Sequence, residues 1–340
     1  MQRKYELFDF IHIGHGKCMS TALQNIFSVS ENYNYYHMDK MITTLDRIIL
    51  NNLDSEQKLV AECNDFIATA EQTILSECMH LDTHINVLSN EGITFSFLAE
   101  PKAADYTLFK QKLLAILLGK FTKKVLFIVR DPAELINSFF YQSINEGAAF
   151  KSVNHYLSEN RKTIINNFNI LSTISFWLEN DVAVNLIPLE LLKKENDLFW
   201  SEFDYLGFPR PDKINLELDE TSANRSRSEF KSLHSHLNSL INRIEEHLKT
   251  ANYPEKDSLK TSTILMKVHI RRLISSAKPE ELTLLSSLFS KIENLEKLKI
   301  DNELFEIISK NYLEPLSHFD FEFKTEIIEN YRNNLSSIVV

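Results

Sequence analysis

Two short runs, Val125 to Val129 (VLFIV) and Val182 to Pro188 (VAVNLIP), are apolar almost without interruption. A strand with one wet face alternates apolar and polar residues. One that hardly alternates must be covered on both faces, as in a parallel sheet with helices packed on each side. Leu7 to Gly14 (LFDFIHIG) and Ile85 to Ser89 (INVLS) read as further strands. Between the runs lie helical patterns at Lys17 to Phe27, with Leu23, Ile26 and Phe27 at helical spacing, Asp65 to Leu81, Tyr106 to Leu118, Pro132 to Asn145 and Lys162 to Glu179. The alternation βαβα predicts the α/β class, a parallel β-sheet flanked by helices. Tyr33 to Tyr36 (YNYY) is an aromatic cluster whose expected role is packing.

From about Ser228 the strand signals cease, and Phe230 to Leu248, Ser262 to Ser276, Pro279 to Leu298 and Asn302 to Ser309 carry helical patterns. The expected division is an α/β core over residues 1–227 and a helical C-terminal extension over 228–340. The extension is expected to pack on the core; covering an acceptor pocket or forming a homodimer are the other uses open to it.

A net charge of −10 argues against a broad grip on nucleic acid or an anionic membrane surface, since both need a large positive field. An anionic ligand would have to be held locally. The three cysteines, Cys18, Cys63 and Cys78, lack the paired spacing of a disulfide framework or a zinc site, which suits a reducing compartment. Met1 to Glu6 is charged and polar, and the apolar run after it is interrupted by Asp9 and His12. Neither a signal peptide nor a membrane span fits, and a cytoplasmic location is expected.

Only six glycines occur in 340 residues, so each needs a reason, either a positive φ or a close approach to a ligand. Gly14 and Gly16 bracket one loop, and Gly92 follows a strand end. In Gly14-His15-Gly16-Lys17-Cys18-Met19-Ser20-Thr21 a strand empties through two glycines into a helix whose first turn carries a lysine and two hydroxyls. Unpaired N–H groups and the positive end of the helix dipole suit an anion there, with Lys17 adding a full charge and Ser20 and Thr21 adding donors. The nucleoside triphosphate loop requires a glycine five residues before Gly16, where Ile11 stands.

A second junction lies about 110 residues on: Lys123 to Arg130 (KKVLFIVR) ends on arginine, Asp131-Pro132 opens a helix, and Ser138 follows eight residues after Arg130. A guanidinium fork and a hydroxyl suit a phosphate monoester. The first segment resembles the 5′-phosphosulfate loop of sulfotransferases, with Met19 standing where that frame has glycine, and the second resembles their 3′-phosphate site. Leu88-Ser89-Asn90-Glu91-Gly92 and Asn224-Arg225-Ser226-Arg227 are similar to segments of a bacterial branch of the family, so the resemblance spans roughly residues 7 to 240.

The resemblance implies a P-loop-like phosphosulfate-binding loop and the donor 3′-phosphoadenosine 5′-phosphosulfate, leaving adenosine 3′,5′-bisphosphate as product. It implies donor contacts from Gly14, Gly16, Lys17, Cys18, Met19, Ser20, Thr21, Arg130 and Ser138, with Arg225 and Arg227 closing over the 3′-phosphate. Lys17 would neutralise charge on the leaving phosphate, Ser138 would restrain that lysine, and no metal would be required. The acceptor would be a hydroxyl or amine of a glycan or small molecule. A hydroxyl acceptor needs a base, for which Glu91, His15 and His37 are candidates, Glu91 first because it ends a strand beside Gly92. Two rival expectations stand beside this one: a small-molecule kinase or nucleotide hydrolase, and a non-catalytic nucleotide-binding protein that keeps the fold.

Overall fold

A computed structural model describes residues 5–15, 18–78, 84–94, 104, 106–145, 152–212, 214 and 297–340. The readings placed on Gly16, Lys17, Arg225 and Arg227, and on the helical patterns between residues 230 and 296, lie outside the described residues.

Five strands, β1 (Phe10–His12), β2 (Tyr33–Tyr36), β3 (Ile85–Ser89), β4 (Lys124–Val129) and β5 (Ala183–Pro188), form one sheet in the order β2-β3-β1-β4-β5. Every pair is parallel, with Ile11 opposite Leu88 on one side and Val125 on the other. The chain is therefore α/β, and the physical reason is visible in β4, whose Val125 to Val129 are all fully buried. Phe10 meets the rings of Phe27, Tyr33, Phe203 and Phe208, whereas Phe127 meets His15, so two separate clusters cover the sheet. Each buried phenylalanine removes enough apolar area to contribute about 2 kcal/mol. Pro188 falls at the end of an edge strand, where a missing N–H costs no ladder bond.

The helices before the second junction are α1 (Ser20–Val29), α2 (Asp39–Asn51), α3 (Glu56–Glu77) and α4 (Thr107–Leu118). After it come α5 (Pro132–Asn145), α6 (Val153–Glu159), α7 (Arg161–Asn167), α8 (Ile170–Leu178), α9 (Glu190–Lys194) and α10 (Asn196–Tyr205). The C-terminal segment holds α11 (Asn302–Ile308), a π turn (Ser309–Leu313), α12 (Glu314–Leu316) and α13 (Lys324–Ser336). In α1, Leu23, Ile26 and Phe27 are buried at the helical spacing that predicted it, although the helix starts at Ser20 rather than Lys17.

Two local expectations are corrected. The pattern Lys162 to Glu179 is two helices, because the Asn169 side chain accepts from the Ser172 N–H and restarts the chain as α8. The helix expected from Asp65 begins at Glu56. Tyr33 to Tyr36, which gives no strand signal, is an edge strand; its expected packing is met by Tyr33 on Phe10 and Phe27 and by Tyr36 on Phe8.

The chain divides into two compact units. The first draws on Met1–Pro132, Asn160–Leu218 and Asp301–Val340 and carries the sheet. The second draws on Ala133–Glu159 and Asp219–Ile300; within it the Phe140 and Tyr156 rings meet, and the Asn154 amide brackets the backbone of Lys297 and Lys299. No helix among the described residues is long and apolar enough to cross a membrane.

Candidate functional site

The strand order makes the site possible. From β1 the chain leaves toward β2 at one edge, and from β4 it leaves toward β5 at the other. Loops that depart in opposite directions open a crevice at the carboxyl ends of adjacent strands, the usual ligand position in such sheets. The Gly14 loop follows β1, and Arg130 follows β4.

Gly14 is required for close approach: a Cβ there would fall 2.7 Å from His12 Nε2. Gly92 is confined similarly, with Ile42 Cγ2 at 2.8 Å. A positive φ is found in this loop at Met19, at φ 67° and ψ 12°, the residue immediately before α1. That left-handed conformation costs a side chain about 1–2 kcal/mol and glycine almost nothing. Met19→Gly is therefore expected to be about 1 kcal/mol more stable than Met19→Ala in urea denaturation, the reverse of their order within a helix. Greater stability of the alanine variant would remove the strain argument.

No side chain caps α1, and no acid lies in its first turn. Ser20 is buried, its hydroxyl donating to the His15 carbonyl at 3.3 Å, while Thr21 is exposed. Cys18 is fully buried, and burial pushes its thiol pKa up. The loop after β1 and the turn after β4 are joined through Tyr312, whose ring stacks on His15 and whose hydroxyl bonds the Arg130 backbone.

Arg130 is half-buried, and its backbone is held from the far end of the chain. The Tyr312 hydroxyl accepts from the Arg130 N–H at 3.1 Å and donates to the Arg130 carbonyl at 2.7 Å. Next to it, the Asp131 N–H donates to Glu190 Oε1 at 3.3 Å, and Asn334 Nδ2 donates to Asp131 Oδ2 at 2.7 Å. The Tyr331 hydroxyl donates to the other Glu190 oxygen, and burial raises the Glu190 pKa. Ser138 lies on α5, half-buried, in the second unit.

Glu91 opens a single 3₁₀ turn directly after Asn90. Its half-buried carboxylate has no hydrogen-bond or ion-pair partner among the described residues. The turn is tied to the anion loop by the Thr94 hydroxyl, which lies 2.8 Å from the Ile13 carbonyl and 3.1 Å from that of Gly14. The glutamate and the loop are thereby placed together.

The other two base candidates are engaged differently. His15 is 1% exposed, packed among Phe127, Phe168 and Tyr312, with neither ring nitrogen hydrogen-bonded among the described residues; burial lowers its pKa to about 3. His37 Nε2 lies 2.7 Å from Asp39 Oδ2, and its Nδ1 faces the Tyr35 hydroxyl at 2.8 Å and the Ser89 carbonyl at 3.1 Å. Both His37 nitrogens are occupied. Sequence reasoning missed His12, whose Nδ1 lies 2.7 Å from Ser89 Oγ, and it missed Tyr312, Glu190, Tyr331 and Asn334. The register His12 opposite Ser89 follows once the strands are paired; the C-terminal residues left no local signal. No protein-family model and no curated protein matches the chain.

Proposed function

We propose that the protein is a sulfotransferase carrying a sulfuryl group from 3′-phosphoadenosine 5′-phosphosulfate to a hydroxyl or amine of a glycan or small molecule. The observation that carries this reading is that two strand-to-helix junctions, the Gly14 loop with its uncapped helix start and the Arg130 turn, are joined by Tyr312, whose ring stacks on His15 and whose hydroxyl holds the Arg130 backbone. An uncapped helix start without acidic residues fits an anionic donor.

In the proposed reaction the acceptor oxygen forms a bond to sulfur as the bond from sulfur to the bridging oxygen breaks. The electron pair leaves on the 5′-phosphate, and the acceptor proton goes to Glu91. Lys17 and the first N–H groups of α1 stabilise the leaving phosphate, and Arg130 holds the 3′-phosphate, a contact to which the resemblance adds Ser138. Glu91 suits the base role because its carboxylate has no partner among the described residues and its turn is tied to the loop through Thr94. Arg225 and Arg227 are proposed to close over the 3′-phosphate, and the protein is proposed to work in the cytoplasm.

The test is a radiolabelled sulfate-transfer screen over glycans and hydroxylated metabolites, with Lys17→Ala and Glu91→Ala beside the parent. Transfer by the parent that is lost in both variants is expected. Tighter calorimetric binding of ATP than of adenosine 3′,5′-bisphosphate would overturn the reading in favour of a kinase or nucleotide hydrolase. Met19, at the left-handed position where the resembled loop has glycine, favours a second reading, a non-catalytic protein that binds the bisphosphate. Bisphosphate binding without transfer to any acceptor would select it.

A further inference from the structure

The Arg130 turn contains a feature that the proposed chemistry does not use. A strand's last peptide normally loses its ladder partner where the sheet ends, and a buried unpaired backbone group costs about 1–3 kcal/mol. At Arg130 one phenol supplies both partners: Tyr312 Oη accepts from the N–H and donates to the carbonyl. Tyr312 is fully buried, and it belongs to the π turn Ser309–Leu313. A π turn inserts one residue into a helix and rotates its side chains relative to the regular path, and such turns recur at functional positions.

The ring of Tyr312 has a second task. It stacks on His15, with centroids 6.1 Å apart and planes at 27°, and meets Phe168 edge-on at 5.3 Å. A single side chain thus touches the loop after β1 through its ring and the turn after β4 through its hydroxyl. From the same C-terminal segment Asn334 holds the neighbouring Asp131 side chain, and Tyr331 bonds Glu190, the acceptor of the Asp131 N–H.

We infer that Tyr312 is a positioning residue that fixes the Arg130 backbone so that its guanidinium is set for the 3′-phosphate of the bound nucleotide; the inference rests on the sulfotransferase reading. The hydroxyl and ring functions are separable, since Tyr312→Phe deletes the clamp and keeps the stack on His15.

The test is calorimetry of two nucleotides that differ in the 3′-phosphate. Tyr312→Phe should bind adenosine 3′,5′-bisphosphate about tenfold more weakly than the parent, the order expected from losing a hydrogen bond that fixes a charged ligand. Its affinity for adenosine 5′-monophosphate should stay within about twofold. In an Arg130→Ala background the same substitution should cost the bisphosphate nothing further, because the two residues act as one unit. An equal loss for both nucleotides, or a full loss in the Arg130→Ala background, means a merely structural role and overturns the inference. A parent that binds both nucleotides equally overturns the donor reading itself, and this inference with it. Amide exchange at Arg130 in the parent gives a measurement independent of the variant's folding. Protection should rise with the bisphosphate and not with the monophosphate, and the reverse would overturn the assignment.

Discussion

Between pH 6.5 and pH 5 the protein is expected to lose about 3 kcal/mol of stability through two histidines alone. His12 and His15 are buried, and burial lowers both from 6.5 to about 3. In that interval the unfolded chain takes up a proton at each histidine while the folded chain does not. The unfolded state therefore binds more protons, and folding stability falls as the pH falls. Each group contributes about 1.4 kcal/mol per pH unit below its unfolded value. Glu190 and Glu202, whose carboxyls burial pushes upward, act in the opposite sense, so the histidine contribution is best read by difference. His15→Phe suits that comparison because the residue already lies among three aromatic rings. Urea denaturation of parent and variant at both pH values should show a decline smaller by about 1.5 kcal/mol in His15→Phe. Identical declines would mean that His15 takes up its proton without unfolding.

Under the proposed sulfotransferase function, Lys17→Ala and Arg130→Ala are expected to damage transfer in different ways. Charge on the leaving phosphate develops only as the sulfur–oxygen bond breaks, so loss of Lys17 should lower kcat by about 10²- to 10³-fold and change KM for the donor little. The 3′-phosphate carries its charge throughout, and loss of Arg130 should mainly raise KM for the donor, by about 10- to 100-fold. Initial rates at varied donor concentration separate the two patterns. A lysine variant defective only in KM would assign Lys17 to ground-state binding and remove it from the bond-breaking step.

Much of the sheet was legible because burial on both faces leaves an unmistakable residue pattern. β3 matches its predicted run, and β4 and β5 match theirs to within a residue. β2 was not legible as a strand: Tyr-Asn-Tyr-Tyr at a sheet edge buries only its first ring, and so gives neither a continuous apolar run nor an alternation. The break between α7 and α8 depended on one capping asparagine within an otherwise helical stretch. In the site, Gly14 and Arg130 could be found because they interrupt local patterns at strand ends. Met19 was visible as a departure, and its left-handed backbone explains why that position suits glycine. Tyr312 could not be found, since its meaning comes from a partner 182 residues away.

That separation has a consequence during synthesis. A ribosome extends the chain from the N-terminus at about 5–20 residues per second, and completed portions begin to fold behind it. The Gly14 loop and all five strands are made before residue 189, whereas the phenol that grips Arg130 arrives only with residue 312. A nascent chain can therefore assemble the sheet for several seconds with the Arg130 peptide still ungripped, and the backbone after β4 is fixed only when residue 312 has been made.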